Sequence, residues 1–168
     1  MDERKLVILA IAGEEDAFVK LYELYYTRLY RYAAYTLRGV HDAEDAVSEA
    51  VADAYAGISR LKNPDAFGTW IFRILSNKCK AKMREYYTSS DLDVTEVPEE
   101  AENIDMALNL SVKQMFMSLP KKERMVIGLS VFGGYDSWEI GKILKMNAST
   151  VRSIRKRTLE KMAREMND

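Results

Sequence analysis

The sequence has almost none of the residues that build disulfides or zinc sites. It contains one cysteine, Cys79, and one histidine, His41, in 168 residues. A single cysteine excludes an internal disulfide, and these two residues together cannot supply the four ligands of a structural zinc site. The composition therefore fits a reducing cytoplasm, and we expect a cytoplasmic protein without a metal or other cofactor.

Residues that interrupt helices are also scarce, with three prolines and eight glycines. Long stretches without such residues favour helices over many short strands. The apolar run at positions 6–12 is too short for a membrane span and is followed at once by acids, so we expect neither a secretory signal nor membrane insertion. Charged residues make up 30% and hydrophobic residues 48% of the chain, which is typical of a folded protein.

The signatures of an enzyme are missing as well. There is no glycine-rich phosphate loop, and the single histidine lies in a predicted turn beside Asp42, where a capping or solvated role is the better interpretation. Cys79 lies in a basic stretch that would lower the pKa of a thiol, yet a passive thiol is the preferred interpretation. We expect no catalytic activity.

What the sequence does contain is a strong separation of charge behind a net charge of only −1. Residues 42–53 carry acids and no base, residues 73–84 carry bases and no acid, and every charge in residues 85–105 is negative. Beyond residue 142 the charge is again mainly positive. Because salt screens charges beyond about 8–10 Å, such local blocks decide what each segment attracts.

Helical periodicity divides the first half of the chain into three segments. Apolar residues recur at three- and four-residue steps over residues 15–37, and a second helix is predicted to begin at Asp42 as its N-cap. A turn at Lys62-Asn63-Pro64-Asp65 precedes a third helix over residues 66–86. These helices predict a first domain, residues 1–87, built as a three- or four-helix bundle.

The second half begins with an acidic segment, residues 88–103, that contains Pro98 and lacks periodicity. We interpret it as a flexible linker. The second domain, residues 104–168, is predicted to hold helices at 104–117, 121–132, 137–145 and 150–165. Gly133-Gly134 suits a helix end, and Asp136 with Glu139 has the spacing of a capping box. The chain is therefore expected to be all-α, with two small helical domains joined by a flexible acidic linker.

The last two helices have the size and turn of a helix-turn-helix. Val151, Ile154, Leu159 and Met162 are predicted to hold the final helix to the core. Its amino-terminal part would then enter the major groove of DNA, because arginine can bind guanine and hydroxyls can reach bases or phosphates. The residues predicted to contact DNA are Ser149, Thr150, Arg152, Ser153, Arg155 and Lys156.

Motifs in both halves of the chain resemble a known family. Leu119-Pro120-Lys121-Lys122-Glu123-Arg124, Trp138-Glu139-Ile140-Gly141 and Ser149-Thr150-Val151-Arg152-Ser153 resemble region 4 of the extracytoplasmic-function sigma factors. Asp16-Ala17-Phe18, Asp42-Ala43-Glu44-Asp45-Ala46-Val47 and Trp70-Ile71 with Asn77 resemble region 2 in order and spacing. The resemblance implies an alternative sigma factor that directs core RNA polymerase to promoters, reading the −10 element with region 2 and the −35 element with region 4.

The resemblance also implies roles for particular residues and partners. Asp42, Glu44, Asp45 and Glu49 would dock on the β′ clamp helices of the polymerase, and region 4 would meet the β flap. Single-stranded −10 DNA would be captured by Lys62, Asn63, Asn77, Lys80 and Arg84, with the loop of residues 60–65 forming a base pocket. Phe67 and Trp70 are expected in the core rather than as stacking platforms. An anti-sigma factor is a further expected partner.

Two departures from the family pattern bear on DNA recognition. Ala81 stands where the family often has an aspartate, and Ile154-Arg155 stands where an arginine followed by an apolar residue is common. The exact promoter bases therefore stay open. A helix-turn-helix regulator that acts independently of a sigma role also stays open as an alternative function.

Overall fold

The computed structural model describes residues 2–88 and 109–167, and these two ranges contain helices and no strand. The amino-terminal group comprises α1 (Glu3–Ile11), α2 (Glu15–Thr36), α3 (Val40–Gly57) and α4 (Phe67–Thr88), with 3-10 turns at Ile58–Arg60 and Pro64–Ala66. The carboxyl-terminal group comprises α5 (Leu110–Ser118), α6 (Lys121–Val131), α7 (Ser137–Leu144) and α8 (Ala148–Asn167). The expected all-α fold is confirmed. In the described part of the chain, no helix is long and apolar enough to cross a membrane.

Helix α1 was not predicted from the sequence. The Asp2 side chain caps it by accepting a hydrogen bond from the Lys5 backbone N–H at 3.2 Å. Leu6, Val7 and Ala10 are buried, which is the three- and four-residue spacing of a helix that packs along one side. The apolar run of residues 6–12 therefore belongs mostly to a short helix that packs one face into the core and leaves Ile8 and Leu9 exposed.

Three predicted helix starts are corrected by the structure. Helix α3 begins at Val40 with Gly39 as its N-cap, so Asp42 lies inside the first turn rather than at the cap. The helix predicted over 104–117 begins at Leu110, because the side chain of Asn109 caps it and accepts from the Ser111 N–H at 2.8 Å. Helix α8 begins at Ala148, two residues before the predicted start. Of the predicted linker, Thr88 ends α4, and the rest lies outside the described residues, as do residues 104–108.

Helix α2 is the central element of the fold. Tyr32, near its carboxyl end, is fully buried, and its hydroxyl lies 2.8 Å from the Ser76 hydroxyl on α4. The Phe72 ring packs 5.8 Å from the Tyr32 ring, centre to centre. On its other side α2 contacts the carboxyl-terminal group, where a Cβ added to Gly128 would lie 2.9 Å from the Tyr32 ring. Helices α2 and α6 can approach this closely because Gly128 has no side chain.

The two helical groups therefore pack directly on each other, an arrangement that the sequence left open. Buried residues of both groups, including Leu129, Val126 and Ile140 of the carboxyl-terminal group, belong to one continuous hydrophobic cluster. The rings of Phe72 and Tyr135 meet edge to face across the junction, 5.2 Å apart. We call this arrangement the packed form.

Two buried cations of the carboxyl-terminal group cap the carboxyl end of α2. The Lys113 ammonium donates to the backbone carbonyls of Ala34 and Leu37, and the Arg124 guanidinium donates to the Thr36 carbonyl at 3.0 Å. Helix carboxyl ends carry partial negative charge and unpaired carbonyls, so cations are favoured there. Burial, and secondarily the neighbouring Arg124, lowers the pKa of Lys113 to about 7.

Candidate nucleic-acid interface

The helix-turn-helix consists of α7, a three-residue turn and α8. Helix α7 opens with the predicted capping box, in which Asp136 accepts from the Glu139 N–H at 2.8 Å and Glu139 accepts from the Asp136 N–H at 3.0 Å. The turn folds back so tightly that a Cβ at Gly141 would lie 2.6 Å from the Met146 carbonyl oxygen. Glycine is needed at this position because neither backbone can retreat.

Helix α8 presents its amino-terminal part to solvent. Val151 and Ile154 are buried and fix the helix to the core, as predicted. The predicted inward role of Leu159 is wrong, since that side chain is 40% exposed and Thr158, at 2%, is buried in its place. Met162 is half-buried. Of the six residues predicted to contact DNA, Ser149, Thr150, Arg152, Ser153 and Lys156 are exposed and Arg155 is half-buried.

A second basic surface lies along α4. Asn77, Lys80 and Arg84 follow one another at three- and four-residue steps and therefore share one face of the helix. Asn77 and Arg84 are exposed, and Lys80 is half-buried. The other two lysines of the basic block face α3, where Lys78 pairs with Asp53 at 2.8 Å and Lys82 with Glu49 at 4.0 Å. The sequence did not separate these two faces.

At the amino-terminal end of α4 the loop before it forms a cavity of about 420 Å³. Its lining includes Arg60, Lys62 and the indole of Trp70. Phe67 is buried in the core, as expected, but Trp70 is only half-buried and lines the cavity. Asn63 is exposed, and its side-chain oxygen accepts from the Asp65 N–H at 3.0 Å, which shapes the loop. Asp53, whose carboxylate pairs with Lys78, also lines the cavity. The aromatic wall suits a base, and the two cations beside it suit a phosphate.

The acidic residues of α3 lie on the side away from its buried alanines. Asp45 and Glu49 are exposed, and Asp42 and Glu44 are half-buried. The Tyr86 hydroxyl donates to the Asp42 carboxylate at 2.6 Å. Glu49 lies 4.0 Å from Lys82, so part of its charge is compensated within the chain. Asp45 is exposed and lies between Asp42 and Glu49 along this acidic face.

Several cations near the helix-turn-helix were not singled out from the sequence. Lys122, Lys142 and Lys145 line an opening of about 580 Å³ beside Thr150. The pair of lysines at positions 121–122 could have marked this basic surface in the sequence, because it lies at the start of α6 and helix amino ends ordinarily favour acids. Two bases at this position are disfavoured by the helix dipole.

The two residues considered for chemistry have no reactive setting. Cys79 is fully buried, and burial raises the pKa of its thiol to about 12, so the nearby lysines do not activate it. His41 lies exposed in the first turn of α3. Within residues 2–88 and 109–167 there is no group of side chains that could hold a metal ion.

Comparison with known proteins agrees with this division into two regions. A family model described as sigma-70 region 2 matches residues 21–86, and one described as sigma-70, region 4 matches residues 109–162. The chain is 29% identical to the ECF RNA polymerase sigma factor SigW of Bacillus subtilis, over 93% of this chain and 92% of that protein. It is 30% identical to the ECF RNA polymerase sigma-E factor of Escherichia coli K12, over 67% of each. The structure of CnrH in complex with the cytosolic domain of CnrY shares the fold, with a TM-score of 0.77 and 21% identity over 98% of this chain and 97% of that one.

Proposed function

The chain belongs to the extracytoplasmic-function group of the sigma-70 family, and from that premise we propose how its residues divide the work of promoter recognition. It is an alternative sigma factor that directs core RNA polymerase to promoters. It binds the core enzyme and promoter DNA, as sigma factors do. The amino-terminal group contains region 2, and the carboxyl-terminal group contains region 4.

The −35 element is assigned to the exposed face of α8. The observation that carries this assignment is that Ser149, Arg152 and Lys156 stay exposed while Val151 and Ile154 anchor the helix behind them. Arginine can bind a guanine edge through two hydrogen bonds, and the lysine suits a phosphate. Arg155 is half-buried, so we assign it a backbone contact beside the groove rather than a base contact.

The −10 element is assigned to α4 and the loop before it. Asn77, Lys80 and Arg84 lie along one face of α4, and Lys62 with Asn63 stands in the loop before it. Single-strand binding combines a basic track for the backbone with an aromatic surface for a base. The cavity lined by Arg60, Lys62 and Trp70 supplies that surface, so an extruded base would enter there.

The acidic face of α3 is assigned to core polymerase. An acidic surface repels the DNA backbone, so a basic protein surface is its physical complement. Asp45 stands at the centre of this face, and Asp42, Glu44 and Glu49 complete it. The family pattern places the clamp helices of β′ at this contact and the β flap against region 4.

The remaining partners follow from the family alone. The solved structure that shares this fold is that of CnrH in complex with the cytosolic domain of CnrY. We infer that this chain too is held inactive by a cytoplasmic protein domain of the anti-sigma class and that it acts in the cytoplasm.

Transcription in vitro tests the function as a whole. Purified core polymerase, with and without this protein, is given a fragmented genomic template, and the 5′ ends of the transcripts are sequenced. We expect specific starts that need the protein and share elements at −35 and −10. If a control sigma factor works on this core and the chain yields no specific start, the alternative of an independent helix-turn-helix regulator takes its place.

The division of labour predicts a specific defect for Arg152→Ala. Loss of a bidentate base contact costs about 1–3 kcal/mol, which is roughly a 5- to 150-fold drop in −35-dependent transcription. Binding to core polymerase, measured by fluorescence anisotropy of the labelled sigma factor, stays unchanged. The matched control is Lys161→Ala, which removes an exposed charge farther along α8. Loss of both activities in Arg152→Ala contradicts the assignment.

A further inference from the structure

A cavity of about 460 Å³ opens where the amino-terminal and carboxyl-terminal groups meet. Helix α4 forms one wall, the start of α6 a second, and the turn after α7 a third. This junction cavity exists only while the two groups are packed together, because neither group holds more than part of the lining.

Among the described residues, five cations and no acid line the junction cavity. Two come from α4 and three from the carboxyl-terminal group: Lys80, Arg84, Lys121, Lys122 and Lys145. Lys121 and Lys122 also occupy the first positions of α6, where backbone N–H groups add partial positive charge. Burial lowers the pKa of Lys80, and the charges of Lys145, Arg84 and Arg73 lower it further. Like charges from both groups are thus brought close together, and a bound anion would reduce their mutual repulsion.

Lys145 is held in a backbone conformation that lysine rarely adopts. Its φ of 58° and ψ of 53° lie in the left-handed region, and it is the one described residue other than glycine with positive φ. Glycine or asparagine is the usual residue at such a helix end. Strained residues tend to mark functional sites, and this side chain lines the junction cavity.

The rest of the lining is apolar and soft. It consists of Met83, Met125, Leu144 and Met146. Methionine thioethers make favourable contacts with aromatic rings and adapt to their shape. A ligand that matches the whole cavity therefore combines several negative charges with a flat aromatic body.

We propose that the junction cavity binds a nucleoside polyphosphate, with the phosphates among the cations and the base against the methionines. The volume falls in the range of about 300–1,000 Å³ that small-molecule sites occupy. The ligand would hold the two groups together and occupy Lys80 and Arg84, which the −10 assignment needs. Bound nucleotide is therefore an inhibitor of promoter binding. This inference goes beyond the proposed function and depends on the packed form.

The test titrates a fluorescent N-methylanthraniloyl GTP into the full-length protein. We expect saturable binding of one nucleotide per chain. In Lys145→Gly the side chain is lost while the left-handed backbone becomes unstrained, so thermal stability rises or holds. Affinity for the nucleotide nevertheless falls about tenfold, the scale of one charge-assisted hydrogen bond. A loss of both stability and binding, or unchanged affinity, overturns the role of Lys145.

Further measurements distinguish nucleotide binding from binding of phosphate alone. The double variant Lys20→Ala/Lys161→Ala removes two exposed lysines outside the cavity, and its affinity is expected to match that of the original chain. Inorganic triphosphate is expected to bind at least tenfold more weakly, because it has no base to meet the methionines. Equal binding of triphosphate overturns the nucleoside assignment. The junction cavity itself is tested with Gly128→Leu, in which the added side chain is expected to push α6 away from Tyr32 and separate the two groups. Equal nucleotide binding by this variant, once scattering shows the groups apart, overturns the junction site, because the cations of each group would then be binding phosphate separately.

Discussion

Arg124→Met is expected to lower the free energy of unfolding by about 3 kcal/mol or more. The guanidinium is buried and donates to four backbone carbonyls, at 3.0 Å to Phe116, 3.0 Å to Thr36, 2.9 Å to Leu119 and 3.3 Å to Met117. Each hydrogen bond to a charged group contributes about 1.5–3 kcal/mol, and a buried acceptor left without a partner costs more than one exposed to water. Methionine replaces the apolar stem of the side chain but donates to none of these carbonyls.

The size of this effect follows from where the four carbonyls lie. Three close the end of α5 and the turn after it, and the fourth closes α2 in the other helical group. One side chain therefore ends two helices and joins the two groups. Total stabilities of small proteins are about 5–15 kcal/mol, so the loss is a large share of the whole.

Urea denaturation followed by circular dichroism measures the effect. Arg124→Lys is the informative companion, since one ammonium cannot reach four carbonyls in the geometry of a planar guanidinium and should recover only part of the loss. Arg164→Met, on the exposed end of α8, is the matched control and should change stability by less than about 0.5 kcal/mol. A loss below about 1 kcal/mol in Arg124→Met would show that water replaces the guanidinium.

Gly128→Leu is expected to separate the two helical groups without unfolding either. Even a Cβ at this position would lie 2.9 and 3.1 Å from two atoms of the Tyr32 ring. That ring is fully buried and held by the hydroxyl of Ser76, so it cannot move aside. Leucine is also a better helix former than glycine by about 0.8–1 kcal/mol, so α6 itself is not weakened.

Small-angle scattering measures the separation. A compact chain of this length has a radius of gyration of about 15 Å, and the variant is expected to exceed it clearly while its helix content stays the same. Gly39→Ala is the control, because a Cβ there meets nothing within 4 Å. An unchanged radius of gyration would mean that α2 and α6 accommodate the leucine side chain without separating.

Separation should not abolish transcription, and it should ease promoter binding. The −10 and −35 elements lie about 25 base pairs apart, or about 85 Å along B-form DNA. In the packed form, α4 and the helix-turn-helix border a single cavity of about 460 Å³. With the −10 element assigned to α4 and the −35 element to α8, one packed molecule would not reach both, so we expect the packed form to open on polymerase. Tethering then makes the second contact effectively intramolecular.

The helix-turn-helix was predictable because its signals are local. The capping box of Asp136 and Glu139 is a three-residue pattern, and the glycines at 133–134 mark the end of α6, with Gly134 at a φ of 74°. Apolar spacing located Val151 and Ile154 correctly. The same spacing gave the wrong result at Leu159. The buried face of α8 continues from Val151 and Ile154 to Thr158, and Leu159 lies beside that face and is exposed.

Contacts between distant segments were not predictable. Arg124 and Lys113 look like surface cations in the sequence, yet both are buried against α2 carbonyls. Their burial depends on a helix end about 80 residues earlier, which no local pattern reveals. The same holds for Lys78 and Lys82, whose partners Asp53 and Glu49 lie on the preceding helix. The sites named for DNA and polymerase contact stay predictions.

The cap that Arg124 places on the Thr36 carbonyl has a consequence for synthesis of the chain. The two residues are 88 positions apart, so the carboxyl end of α2 leaves the ribosome long before its cap is made. At about 5–20 residues per second, the delay is roughly 4–18 s. During that interval the face of α2 that carries Tyr32 and Thr36 has no carboxyl-terminal group to cover it. Each nascent molecule therefore passes through a period in which this face is open to chaperones, before the factor can assume its packed form.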